Sequence, residues 1–271
     1  MKTQLISKLL TTNWDLSPAQ ARAFLSTLLP RLRGERPAED VFGDPLPKMS
    51  VQGDIAVIPI RGVLMMNVPQ WLKDWGCNIT DVNDIAEELT EALSDPRVTA
   101  IVADFDSPGG WSIAGHKLFG MMEAAASQKP LFSWADDGAD MASAAFNGAA
   151  PSRMILTGPF ACVGSIGSYC VQLDDSGFWK QLGITIEVFR SGEFKGMGED
   201  SLTAEQREFI QATTDSYGAR IRANVAKYRT ELPAAEMRGQ YYDGSIAAEK
   251  GFTHGTAPDL ASAITRFRAF V

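Results

Sequence analysis

The sequence predicts an α/β domain built of βαβ units. Three observations carry this. Short apolar runs alternate along the chain with segments of helical periodicity. One run, VTAIVADF at 98–105, is apolar enough to be a strand buried on both faces. No internal repeat at a fixed period argues for a solenoid instead.

Taken in order, residues 3–33 read as helical in two pieces. Leu5, Ile6, Leu9 and Leu10 recur at helical spacing. Ser17-Pro18 then places an N-cap before a proline at the first helical position. Ala21, Phe24, Leu25, Leu28 and Leu29 share one side of the second piece, and Pro30 ends or kinks it. Residues 34–50, GERPAEDVFGDPLPKMS, hold three prolines and two glycines and read as a linker or an irregular wrap. The chain thus divides into an N-terminal helical arm and linker, 1–50, and one domain over 51–271.

Within the domain, IAVIPIRGVLMM (55–66) is a strand pair or a bent strand, broken at Arg61-Gly62. A helix over 80–94 has Thr80 and Asp81 as cap candidates and Val82, Ile85, Leu89 and Leu93 as its apolar stripe. After the 98–105 strand come a helix over 113–127, the strand LFSWA (131–135) and a small-residue helix over 140–149. Strands over 153–157, 167–173 and 184–190 are expected, with a helix at 176–182 before the last of them. A long helix over 203–228 and two short ones at 245–250 and 260–270 complete the chain.

Composition narrows the function classes. Lysine plus arginine number 25 against 33 aspartates plus glutamates, a net charge of −8, so no basic surplus exists to neutralise nucleic-acid phosphates. No segment approaches the roughly 20 apolar residues that cross a bilayer. The three cysteines, Cys77, Cys162 and Cys170, lack CxxC spacing. They read as small buried side chains in a reducing, cytoplasmic compartment, not as a disulfide framework or a zinc site. With two histidines in the chain, an enzyme's general base is expected to be some other residue.

Three segments can carry chemistry. Ser107-Pro108-Gly109-Gly110 follows a buried strand and precedes a helix. Two glycines there let backbone N–H groups face a cleft, with the helix dipole behind them, although a plain strand-to-helix turn uses the same residues. Ser143, in Asp140-Met141-Ala142-Ser143-Ala144-Ala145, stands at the start of the small-residue helix. It can expose its hydroxyl beside the Ala144 N–H, or simply cap the helix. Lys195, in Ser191-Gly192-Glu193-Phe194-Lys195-Gly196, is either a solvated loop residue or, if burial lowers its pKa, a proton acceptor. His116, near the first of these segments, reads as a surface or supporting residue. Asp104, Asp106, Asp136, Asp137 and Asp140 read as turn caps in place of a carboxylate pair or metal ligands. Trp71, Trp75, Met65 and Met66 read as packing.

In this order SPGG, a serine before small residues, GSIG (164–167) and SGEFKG (191–196) resemble the S49 peptidases. These are the signal peptide peptidase A family and its bacteriophage head-protease relatives. The resemblance spans roughly residues 54–255 and implies a ClpP/crotonase-like fold. It implies that Ser143 is the nucleophile, Lys195 the general base, and Ser165 the residue that orients the lysine. It further implies an oxyanion hole from the backbone N–H groups of Gly110 and Ala144, with Gly109 allowing the turn, and neither metal nor cofactor. A neutral lysine must be desolvated, so a partly buried site is expected, with a rate that rises as Lys195 deprotonates. The departures are informative. Membrane-type members carry a transmembrane anchor and often glycines after the nucleophile; here the serine is followed by Ala144-Ala145. The arm and the IAVIPIRGVLM opening look more like the phage and prophage capsid group.

The resemblance thus implies a serine endopeptidase acting through an acyl-enzyme on peptides or unfolded segments. It implies a homo-oligomer that processes scaffold, portal or other head proteins in the host cytoplasm or the prohead. Three alternatives stand beside it: a general cytoplasmic S49 peptidase that degrades signal peptides, a non-catalytic capsid assembly protein on the same fold, and acyl-CoA chemistry on a crotonase-type scaffold.

Overall fold

A computed structural model describes residues 14–15, 46–74, 77–172, 176–181, 183, 185, 187–198 and 200–271. The two helical pieces expected over residues 3–33 lie outside the described residues, as does Trp75. Only Trp14–Asp15, between those pieces, is described, as strand β1.

Ser50–Gln52 (β2) and Ile55–Arg61 (β3) form an antiparallel hairpin. The expected break at Arg61-Gly62 sends the chain into another sheet as Val63–Met65 (β4). After Gln70–Asp74 (α1), Ile79–Asp81 (β5) pairs parallel with β4. Val82–Ser94 (α2) follows, capped by the Asp81 carboxylate, which accepts from Asn83 N–H. Thr80 is not a cap; it lies in β5 and donates to the Arg61 carbonyl at 2.5 Å.

Ala100–Asp106 (β6), Gly110–Trp111 (β7), Ser112–Ala126 (α3) and Leu131–Ala135 (β8) come next. Asp140–Ala142 (β9) leads into Ala144–Ala149 (α4), then Met154–Thr157 (β10), Cys162–Gly164 (β11) and Ser176–Gln181 (α5). Ala204–Tyr228 (α6) begins with a full capping box between Thr203 and Gln206. Tyr241–Asp243 (β12), Gly244–Glu249 (α7) and Leu260–Phe267 (α8) end the described chain, with a 3₁₀ turn at Arg268–Phe270.

The largest sheet runs β10-β8-β6-β3-β2, parallel except for the β2 edge. Its successive parallel strands are joined by helical connections, as the expected βαβ units require. Alternation in β3 explains why the sheet is buried on both faces. Ala56, Ile58 and Ile60 enter the larger core with residues of α2, α3 and α4. Ile55 and Val57 enter a second core with Phe132, Trp134 and the α8 residues Ile264 and Phe267. The Phe132 and Phe267 rings stack with centroids 4.6 Å apart.

Three expectations need correction. Asp140–Ala142 is a strand, not the first turn of a helix. It pairs parallel with β11, and Met141 bridges Ser107, so tertiary pairing overrides the helical preference of Met and Ala. The expected strand over 167–173 is instead β11, five residues earlier; residues 167–172 form no ladder beyond a bridge-like position at Tyr169. No strand occurs among the described residues of 184–190.

Candidate active site

The site gathers where β6, β9 and β11 end. Gly109 has φ 101°, a conformation that favours glycine, and its carbonyl accepts from Leu64 N–H at 2.9 Å. At Gly110 there is no room for a side chain, since a Cβ would lie 2.0 Å from the Leu64 carbonyl oxygen. The turn therefore sits against β4, and α3 begins two residues later.

Ser107, fully buried, fastens this turn. Its hydroxyl donates to the Gly62 carbonyl at 2.6 Å and accepts from Gly109 N–H at 3.3 Å. Its N–H donates to the Asp140 carbonyl at 2.6 Å, and its carbonyl accepts from Ala142 N–H at 3.2 Å. One buried serine thus ties the SPGG turn to the strand that delivers Ser143. Position 107 stood inside a motif already singled out, but nothing local distinguishes a fastening serine from a turn serine.

Ser143 joins β9 to α4 with φ 52° and ψ −112°, and it is 1 % exposed. That conformation is costly for a residue with a Cβ, about 1–3 kcal/mol. The plain capping role does not hold: the Ser143 side chain makes no cap hydrogen bond. Its hydroxyl instead donates to the Gly167 carbonyl at 3.2 Å, while its N–H donates to the Gly164 carbonyl at 2.7 Å. Ala144 is the first helical residue of α4, so its N–H has no acceptor within the helix.

Ser165 also has positive φ, 55°, and its N–H donates to the Gln240 carbonyl at 2.6 Å. It lies in the GSIG segment whose flanking carbonyls receive both Ser143 bonds. Ser143, Ser165, Gly109, Gly110 and Ala144 therefore belong to one connected region. Lys195 is not joined to it by any hydrogen bond among the described residues. It lies exposed in the turn segment 191–198, its N–H bonded to the Gly192 carbonyl at 2.9 Å.

The other titratable groups serve elsewhere. Asp104 is paired with Arg61; burial pushes its carboxyl above the usual range and the guanidinium opposes this. Asp106 accepts from Asp140 N–H, and Asp137 from Phe160 N–H, as turn caps should. Burial, then the neighbouring Asp140, pushes the Cys162 thiol up to about 12, so it stays a thiol at neutral pH. His116 pairs with Asn224 on α6 and stacks on Tyr217. His254 is open at its edge, but its ring nitrogens pack on Arg229 and accept from Ile155 N–H. Among the described residues no helix is long and apolar enough to cross a membrane.

The parallel sheet flanked by helices, with a serine elbow beside a glycine turn, defines an α/β protein with an enzyme-like site. The model of Peptidase family S49 matches residues 123–257, and the chain belongs to that family. It is 29 % identical over 215 residues to the head-tail preconnector protein of Enterobacteria phage P21, covering 79 % of this chain and 42 % of that protein. It is 26 % identical over 261 residues to the capsid assembly protease C of Escherichia phage lambda, covering 87 % and 58 % respectively. The chain thus spans about two fifths to three fifths of the length of these relatives. Among solved structures it is similar to a membrane protease specific for a stomatin homolog from Pyrococcus horikoshii. That match has 15 % identity, 80 % and 79 % coverage, and a TM-score of 0.41.

Proposed function

We propose that the chain is a serine endopeptidase that cleaves extended segments of head proteins during phage or prophage capsid assembly. The residues 51–271 would form the peptidase domain. The observation that carries the reading is Ser143: strained, buried, and directed away from the capping role that a serine before a helix ordinarily takes. The relatives from phages P21 and lambda support the capsid setting.

In this reading the Ser143 hydroxyl attacks the scissile carbonyl and Lys195 takes its proton. Ser165 orients the lysine, and the N–H groups of Gly110 and Ala144 receive the oxyanion. The tetrahedral intermediate collapses as the protonated lysine gives its proton to the leaving amine and the C–N bond breaks, and water then hydrolyses the acyl-enzyme to the free acid and Ser143. A lysine base needs desolvation, which an exposed turn does not give it. Assembly of copies into a homo-oligomer, in the cytoplasm or the prohead, supplies that cover. A fluorophosphonate probe tests the reading. It should add one adduct to the wild-type chain, mapped to Ser143, and none to Ser143→Ala. An adduct that persists in Ser143→Ala removes Ser143 as nucleophile.

A further inference from the structure

The arm contributes one described piece, and that piece lies against the site. β1 pairs antiparallel with β7, Trp14 opposite Trp111 and Asp15 opposite Gly110. β7 is flanked by β4 on its other side, in the order β1-β7-β4-β5. β1 therefore takes the edge of β7 that β4 leaves open. The direction of the backbone matters here. The Gly109 carbonyl faces β4, where it accepts from Leu64 N–H. Across a trans peptide the next N–H points the opposite way. The Gly110 N–H thus faces the side on which Asp15 is its partner. This is the same N–H assigned above to the oxyanion.

We infer that the edge of β7 is a docking site for one extended peptide strand, and that this chain's own Trp14–Asp15 segment is its resident occupant. A substrate strand adds to the same edge by backbone pairing only after this segment leaves. The identity of the incoming strand as substrate rests on the peptidase reading; the occupancy does not. Two paired residues make a short ladder, so a longer strand, with more backbone bonds to offer, can displace it.

The test uses the full chain carrying Ser143→Ala, so that nothing is turned over. The probe is a fluorescein-labelled peptide copying residues 9–20, LLTTNWDLSPAQ. Asp15→Pro removes the N–H that Asp15 offers to Gly110. Anisotropy should show the probe binding Asp15→Pro at least about ten-fold more tightly than the parent, a difference of about 1.4 kcal/mol. Equal affinity, or no binding to either, overturns the inference. Trp14→Gly/Asp15→Gly loosens the strand without proline and should move the affinity the same way. Hydrogen exchange at Gly110 should quicken in both variants; unchanged exchange there also overturns the inference. Phosphonate labelling of Ser143 is read separately, and its failure removes the peptidase reading while the binding result stands.

Discussion

At the scale of the residue, Ser143 concentrates the account. Its positive φ and its ψ of −112° suit glycine far better than any residue with a Cβ. Ser143→Gly should therefore leave the protein about 1 kcal/mol more stable than Ser143→Ala, read from urea midpoints at constant slope. If the two variants unfold together, the elbow stores no strain. The sequence marked the residue through its neighbours, because small residues after a serine are legible. The backbone angle was not, since it is imposed by the Gly164 carbonyl on one side and the start of α4 on the other. Lys195 shows the opposite limit. Its motif is legible, but exposure depends on what surrounds the turn, and no local pattern encodes that.

At the scale of the element, the site depends on how turns and helices are fastened. Ser107→Ala leaves the buried Gly62 carbonyl without its side-chain donor, at a cost of about 1–3 kcal/mol. It also takes away the acceptor of the Gly109 N–H and so loosens the SPGG turn, while the backbone bonds of residue 107 to β9 remain; phosphonate labelling of Ser143 should slow by about ten-fold in a protein that still folds. Labelling at the wild-type rate would show that the two segments hold their places without this serine. Gly115 on α3 makes a similar point behind the nucleophile. A Cβ there would lie 2.7 Å from the Ala144 Cβ, and Asn147 donates to the Gly115 carbonyl at 3.0 Å. Gly115→Ala should cost about 1–3 kcal/mol by overpacking and displace the Ala144 N–H. The measurement is the labelling rate of the folded fraction, which should fall. Long periodic elements such as α2, α3 and α6 were read from sequence to within a residue or two. The three-residue strands β9 and β11 were not, because their pairing comes from partners 22 or more residues away.

At the scale of the whole molecule, two buried cores on either face of one parallel sheet account for the fold, and α6 adds Ile221 and Val225 to the larger of them, its end held by Arg229. Arg229 is 8 % exposed, donates to the Ala150 and Ser152 carbonyls, and is held down to about 10 by burial. His254 beside it and His116 under α6 both have lowered pKa values, first from desolvation and then from Arg229 and Arg220 respectively. A histidine whose folded pKa is depressed contributes stability above its unfolded value of about 6.5. That contribution is lost as pH falls through the folded value. The Tm should therefore drop between pH 7.5 and pH 5, and less so in His254→Gln; equal drops in both would clear His254 of the effect. The scarcity of histidine thus takes on a second meaning: His116 pairs with α6 and His254 with Arg229 at its end, and the Ser143 hydroxyl is bonded to the Gly167 carbonyl and to neither of them.

The central claim is that Ser143 and Lys195 act as a pair, and a high-resolution structure of the assembled protein tests it most directly. The account predicts Lys195 Nζ, from the same or a neighbouring copy, within about 2.6–3.2 Å of Ser143 Oγ. A Lys195 that still faces solvent in the assembly, with another group at Ser143 Oγ, would contradict it.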